Sequence, residues 1–172
     1  NHARKKPPLF ILLIFTRRHT RHSERLEKQS CTHMFENVRI AVAIPCYKVS
    51  QHVLDVIAAI GPEVERIYAI DDACPEGSGQ LITTHCTDPR VQVLHHPSNQ
   101  GVGAGMLTAY QAALRDGLDI VVKIDGDGQM NPALLPAFIR PIVKGQADYT
   151  KGNRFYRPES LRSMPPIRLF GN

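Results

Sequence analysis

Four short apolar runs, Ile40–Ile44, Ile67–Ile70, Val91–Leu94 and Ile120–Ile124, each break off at a polar loop, and segments of helical spacing separate them. β-Branched residues fill these runs, as buried strands require. Between the first two runs, Val53, Val56, Ile57 and Ile60 recur at helical intervals, with Ser50 placed to cap that helix and Gly61-Pro62 to end it. A short helix is expected from Gln80 to His85, and a longer one from Val102 to Arg115, stopped by Asp116-Gly117. Leu134, Leu135, Phe138, Ile139 and Ile142 predict a further helix over 132–143, with Pro132 in its first turn. Pro136 and Pro141 count against it, because an interior proline costs about 3 kcal/mol. Ala147-Asp148-Tyr149-Thr150 reads as a last short strand. Strands alternating with helices predict an α/β fold with a mainly parallel sheet and right-handed crossovers.

In such sheets ligands bind beyond the carboxyl ends of the strands. Four polar stretches fall there: Pro45-Cys46-Tyr47, Asp71-Asp72, Asn99-Gln100-Gly101 and Asp125-Gly126-Asp127-Gly128-Gln129. The last is the most informative. Crowded carboxylates resist joint ionisation, and a divalent cation removes that penalty. Mg²⁺ and Mn²⁺ take oxygen ligands and leave positions for substrate phosphates. Asp125, Asp127 and the neutral oxygen of Gln129 therefore read as a metal–diphosphate site, with Gly126 and Gly128 permitting tight backbone and close approach of a ligand. An ordinary Asp-Gly surface turn is the plain alternative. The Gly101-Val102-Gly103-Ala104-Gly105 stretch follows a strand and opens a helix, so its amides could face an anion. Close helix–sheet packing would explain those glycines equally well.

The net charge of +5 raises the question of nucleic acid. Residues 1–36 hold Arg4, Lys5, Lys6, Arg17, Arg18, Arg21, Arg25 and Lys28 against Glu24, Glu27 and Glu36, which accounts for the whole excess. The remainder is close to neutral and offers no basic face, so nucleic acid is not an expected partner. Within that basic extension Leu9–Phe15 is a run of apolar residues. It falls short of the about 20 residues a spanning helix needs, and no small-residue cleavage site follows it. The extension is expected to be disordered, with Met34 as an alternative start, and its basic flanks leave a peripheral membrane contact open. Cys31, Cys46, Cys74 and Cys86 make no Cys-x-x-Cys pair, which fits a reducing, cytoplasmic setting, or the cytoplasmic face of a membrane. The adjacent His95-His96 pair, just before Pro97, reads as a loop feature.

Five blocks in order carry a family resemblance: Ala43-Ile44-Pro45-Cys46-Tyr47, Ile70-Asp71-Asp72, Asn99-Gln100-Gly101-Val102-Gly103, Ile124-Asp125-Gly126-Asp127-Gly128-Gln129 with Pro132, and Gly152-Asn153-Arg154-Phe155. Residues 38–154 resemble the nucleotide-binding half of an inverting family 2 glycosyltransferase of the GT-A fold, a Rossmann-like three-layer arrangement. Asp-x-Asp-Gly-Gln followed by Pro is nearest the dolichyl- or polyprenyl-phosphate sugar synthase branch. The charge distribution sets off a basic extension at 1–36, and the resemblance implies a C-terminally incomplete nucleotide-sugar-binding domain at 37–172. It implies that Pro45 and Tyr47 line the nucleoside pocket, that Asp71 and Asp72 hold base and ribose, and that Gly101 lies at the donor. Asp125, Asp127 and Gln129 would hold Mg²⁺ or Mn²⁺ on the donor diphosphate. Asp127 and Arg154 would serve catalysis, Arg154 matching a Gly-Ser-Arg position. The implied partners are a nucleotide diphosphate sugar and a lipid-phosphate or glycan acceptor. Lys48-Val49 replaces the family's Asn-Glu, Ala73-Cys74-Pro75-Glu76 replaces Gly-Ser-x-Asp, and Asn153 replaces Ser. A nucleotidyltransferase and an inactive nucleotide-sugar-binding fragment are the alternatives, although the loop after the first strand lacks the glycines of the former.

Overall fold

The computed structural model describes the backbone of Ile14–Thr16, Phe35 and residues 37–152. Among these, β1 (Ile14–Thr16), β2 (Ile40–Cys46), β3 (Arg66–Asp71), β4 (Val91–His95) and β5 (Ile120–Lys123) form one sheet, ordered β1-β5-β2-β3-β4. β2 pairs in parallel with β3 and β5, and β3 with β4. β1 adds antiparallel to the outer edge of β5. The expected parallel α/β sheet is therefore present.

The pleat sorts side chains into two cores. Ile40, Val42, Ile44, Ile67, Ala69, Val122 and Ile124 face α1 (Val53–Ala58), α2 (Ser78–His85) and α4 (Leu135–Val143). Ala41, Ala43, Tyr68, Ile70 and Val121 face α3 (Gly101–Arg115). Residues 40–44 are fully buried, because strand β2 is covered on both sides and needs an unbroken apolar run. The α3 layer meets the sheet through Ala109, Ala112 and Ala113. A Cβ on Gly105 would lie 3.5 Å from Ile70 Cγ2, so that helix sits close to the sheet.

Strand order then places the site. The chain runs from β2 out through β3 to β4, and α3 carries it back to β5 on the other side of β2. Order reverses between β2 and β5, and the crevice where doubly wound sheets bind ligands is expected at the carboxyl ends of these two strands.

Three local expectations are corrected. Ser50 does not cap α1: its hydroxyl donates to Glu76 Oε2 at 3.1 Å, and the helix starts at Val53 with His52 as its unbonded cap. Residues 132–134 are a 3₁₀ turn, capped by Asn131 Oδ1 accepting from the Ala133 amide at 3.1 Å, before α4 begins. This shift puts Pro136 in the first turn of α4, where no amide is missed, and leaves only Pro141 inside it. Residues 147–150 form no strand: the chain bends at Asp148, and the Thr150 hydroxyl donates to Phe138 O at 3.0 Å instead of entering the sheet.

Candidate functional site

Four loops meet at the crevice. Pro45, half-buried, is the next-to-last residue of β2, and the loop that follows carries Tyr47, which is 43% exposed. The loop after β5 carries Asp125, Asp127 and Gln129. A Cβ on Gly126 would lie 3.1 Å from Val49 Cγ2 and 3.2 Å from Ile44 Cγ2, so the two loops lie against each other. Packing thus explains Gly126. Gly128 has φ +73°, the left-handed conformation a glycine turn supplies, beside His52. The loop after β3 joins through the Asp72 amide, which donates to Cys46 O at 3.3 Å, and the Lys48 amide, which donates to Cys74 Sγ at 3.1 Å. Ser78, fully buried, accepts from the Val49 amide at 3.3 Å and lies 3.1 Å from Cys74 Sγ. Burial would raise the Cys74 thiol, but the Ser78 hydroxyl and neighbouring amides outweigh it and hold the thiol below its ordinary value.

Asp71 and Asp72 are adjacent but point to different tasks. Asp71 Oδ1 accepts the Cys74 amide at 3.0 Å, and Oδ2 lies 3.1 Å from His95 Nδ1. Asp72 Oδ1 accepts the Gln100 amide at 2.8 Å and His96 Nδ1 at 2.7 Å, and Oδ2 accepts the Gly101 amide at 2.8 Å. A carboxylate only accepts, so His96 Nδ1 carries the hydrogen. Its Nε2 meets the Thr108 hydroxyl at 2.9 Å. The anion at the start of α3 is therefore Asp72 itself, and the Gly101 amide is already engaged. His95 and His96 act as loop anchors at the end of β4.

Two backbone positions here are strained. Lys48 (φ 57°) and Ala73 (φ 50°) are the non-glycine residues with left-handed backbone among the described residues. Such a conformation costs an L-residue roughly 1–2 kcal/mol, and glycine avoids it. Ala73→Gly should therefore stabilise the fold by about 1 kcal/mol, less the extra freedom glycine gives the unfolded chain. A urea unfolding curve checks this, and a lower midpoint for the variant would contradict it.

The acidic loop contains a residue that sequence reasoning passed over. Lys123, the last residue of β5, is 6% exposed, and its ammonium contacts Asp125 Oδ1. Its signal was a charge inside an apolar run on the face of Val121. Asp127 Oδ1 accepts the Gln129 amide at 3.0 Å, and the Asp125 amide donates to Met130 Sδ at 3.3 Å. The second oxygens of Asp125 and Asp127 receive no hydrogen bond from any described residue. No cluster of three His, Cys, Asp or Glu side chains exists among the described residues. The loop thus offers, as candidate donors, two carboxylate oxygens and an exposed amide, all hard oxygens, with a protein cation already on one carboxylate. That set fits Mg²⁺ or Mn²⁺, which take few protein ligands and fill the rest with water and phosphate oxygens. Arg154 lies outside the described residues.

Comparison with known proteins bears on the family and the fold. Residues 41–171 match the family described as Glycosyl transferase family 2. The chain is 32% identical over 136 residues to the polyprenol monophosphomannose synthase of Mycolicibacterium smegmatis, covering 76% of this chain and 51% of that protein. It is 28% identical over 120 residues to the undecaprenyl-phosphate mannosyltransferase of Micrococcus luteus, covering 68% and 49%. The chain thus spans about half the length of the curated relatives it matches. Its fold is similar to that of glucosyl-3-phosphoglycerate synthase from Mycobacterium tuberculosis, solved with Mn²⁺, uridine diphosphate and glucosyl-3-phosphoglycerate, at TM-score 0.53 and 17% identity over 70% of this chain and 46% of that one. With GT-A topology and a family match over most of its length, the chain belongs to glycosyl transferase family 2.

Proposed function

We propose that this chain is the donor half of a metal-dependent, inverting glycosyltransferase that moves a sugar from a nucleotide diphosphate to a polyprenyl-phosphate acceptor at a membrane face. The observation that carries this reading is the contact of the Asp125–Gln129 loop with the 45–49 loop at the reversal of strand order. It brings the loop that carries the candidate hard-oxygen ligands against the loop that carries the exposed Tyr47, which supports a nucleoside diphosphate as the ligand. The names of the relatives support the acceptor class, since one is a polyprenol monophosphomannose synthase and the other an undecaprenyl-phosphate mannosyltransferase.

In this reading Pro45 and the Tyr47 ring flank the nucleoside. Asp71, anchored by Cys74 and His95, bounds the pocket floor. Asp72 acts indirectly by fixing residues 96–101 around Gly101. Asp125, Asp127 and Gln129 would hold the divalent ion. When bound, that ion supplies charge stabilisation to the departing diphosphate. Asp127, nearer solvent than the buried sheet, faces the acceptor side. Arg154 is assigned to the donor by its family position. Most of the rate then comes from positioning and electrostatic stabilisation.

The test gives the purified protein UDP-, GDP- and dTDP-sugars with Mn²⁺ and a polyprenyl phosphate, and follows nucleotide binding and release. One nucleotide is expected to bind at least about tenfold more tightly with Mn²⁺, and Asp127→Ala should abolish that gain, since each tenfold is about 1.4 kcal/mol. Sugar transfer to the lipid supports the acceptor. Binding without transfer supports a donor half lacking its acceptor side. Nucleotide affinity indifferent to divalent ions overturns the reading.

A further inference from the structure

Lys123 is the one Lys or Arg buried among the described residues. Its side chain is 8% exposed, and its ammonium contacts one carboxylate oxygen, Asp125 Oδ1. Register places it opposite Ala43 on the central pair of strands, between apolar neighbours Val122 and Ile124. A buried charge with a single partner is a poor stabiliser, and an apolar side chain of equal length commonly serves such a position as well or better. The position of the ammonium is more informative: it sits on the carboxylate that the metal reading requires.

We propose that Lys123 is the resident counter-cation of this site, which disfavours a free divalent ion and so couples ion entry to entry of the nucleotide diphosphate. The inference rests on the metal–diphosphate reading above. Without nucleotide, a divalent ion at Asp125, whose side chain is 30% exposed, must approach a fixed positive charge that is itself only 8% exposed and so less screened than a surface ammonium. A diphosphate brings several negative charges that offset both cations. Ion and nucleotide should therefore raise each other's affinity, by the same factor in both directions. Lys123 also holds Oδ1, so Asp125 offers the ion a single oxygen.

The experiment measures Mn²⁺ affinity by the electron paramagnetic resonance of the free ion, with and without UDP or GDP. Nucleotide affinity is measured by calorimetry, with and without Mn²⁺. Three proteins are compared: the unmodified chain, Lys123→Met and Lys123→Gln. Met removes charge and hydrogen bond together. Gln removes the charge but can still donate to Asp125 Oδ1, and as a polar side chain it serves where the Met variant fails to fold. Both variants should bind Mn²⁺ alone about tenfold more tightly, and the coupling factor between ion and nucleotide should fall by about tenfold. Unchanged coupling in both variants overturns the inference alone. So does a Gln variant that behaves like the unmodified chain, because the hydrogen bond and not the charge would then be the cause. Absence of any coupling in the unmodified chain overturns both this inference and the metal reading beneath it.

Discussion

Asp72→Ala should lower the stability of the fold by about 2–4 kcal/mol, one of the largest effects expected of a single loop substitution. The carboxylate collects three donors: the Gln100 and Gly101 amides and His96 Nδ1. The His96 side chain is 7% exposed, so it cannot turn to water when its partner goes. A buried donor left unpaired costs about 1–3 kcal/mol, while the amides at the loop surface recover part of their loss by hydration. The same carboxylate gives the effect a pH signature. Burial alone would raise the Asp72 pKa, but the Gln100 amide, His96 and the Gly101 amide outweigh burial and hold it below the ordinary value. A carboxylate depressed in the folded state stabilises the fold above its unfolded pKa of about 3.9, and that contribution is lost as pH falls through the lower, folded value. Urea midpoints at pH 7 and pH 3 should therefore show the gap between the unmodified chain and Asp72→Ala narrowing in acid. An equal gap at both values would mean that the carboxylate's charge is not what holds the loop.

The two aspartates show where sequence reading stops. Asp71-Asp72 stands out as a pair at a strand end, and its placement in the crevice follows from strand alternation alone. The division of labour does not. Asp71, the last residue of β3, turns toward α2, and Asp72 turns toward the start of α3. Only the packed positions of those helices decide which partner each carboxylate finds. The strands were legible because β-branched runs buried on both faces leave few alternatives. β1 was not, since Ile14–Thr16 takes in the end of the Leu9–Phe15 apolar run between basic flanks, and its pairing with β5 is a long-range contact with no local cue. Residues 147–150 failed for the converse reason. Their composition suits a strand, but the sheet edge beyond β5 is taken by β1 and the chain is tied back to α4. Ser50 was well placed to cap a helix, yet Glu76 from another loop claimed its hydroxyl. Lys123 was visible as a charge in an apolar strand, and its register with Ala43 is what ties it to the acidic loop.

Gly79→Val should cost about 3 kcal/mol, at the upper end of what overpacking a filled interior does. Gly79 is the second residue of α2 and is buried. A Cβ built there would lie 2.4 Å from Asp71 Oδ2, 2.6 Å from Asp71 Cβ and 2.7 Å from its Cγ, closer than real atoms approach. The overlap with Cβ matters most, because that atom is fixed by β3 and cannot swing away. Relief requires α2 to withdraw, which opens the packing of Ile82 (1% exposed) and Ser78 (0%), or Asp71 to turn and give up Cys74 and His95. Replacing glycine inside a helix normally gains up to about 1 kcal/mol, and a β-branched residue gains less, so propensity cannot offset the overlap. Gly103→Ala in α3 is the matched control. Nothing lies within 4 Å of its would-be Cβ, so only the propensity gain remains and stability should rise by about 0.5–1 kcal/mol. Paired urea unfolding curves give both values. In the Gly79 variant, loss of stability should be accompanied by weaker nucleotide binding, because Asp71 bounds the pocket proposed for the donor. A Gly79→Val protein as stable as the unmodified chain would show that α2 does not rest on Asp71, and the placement of that carboxylate at the crevice would need to be redrawn.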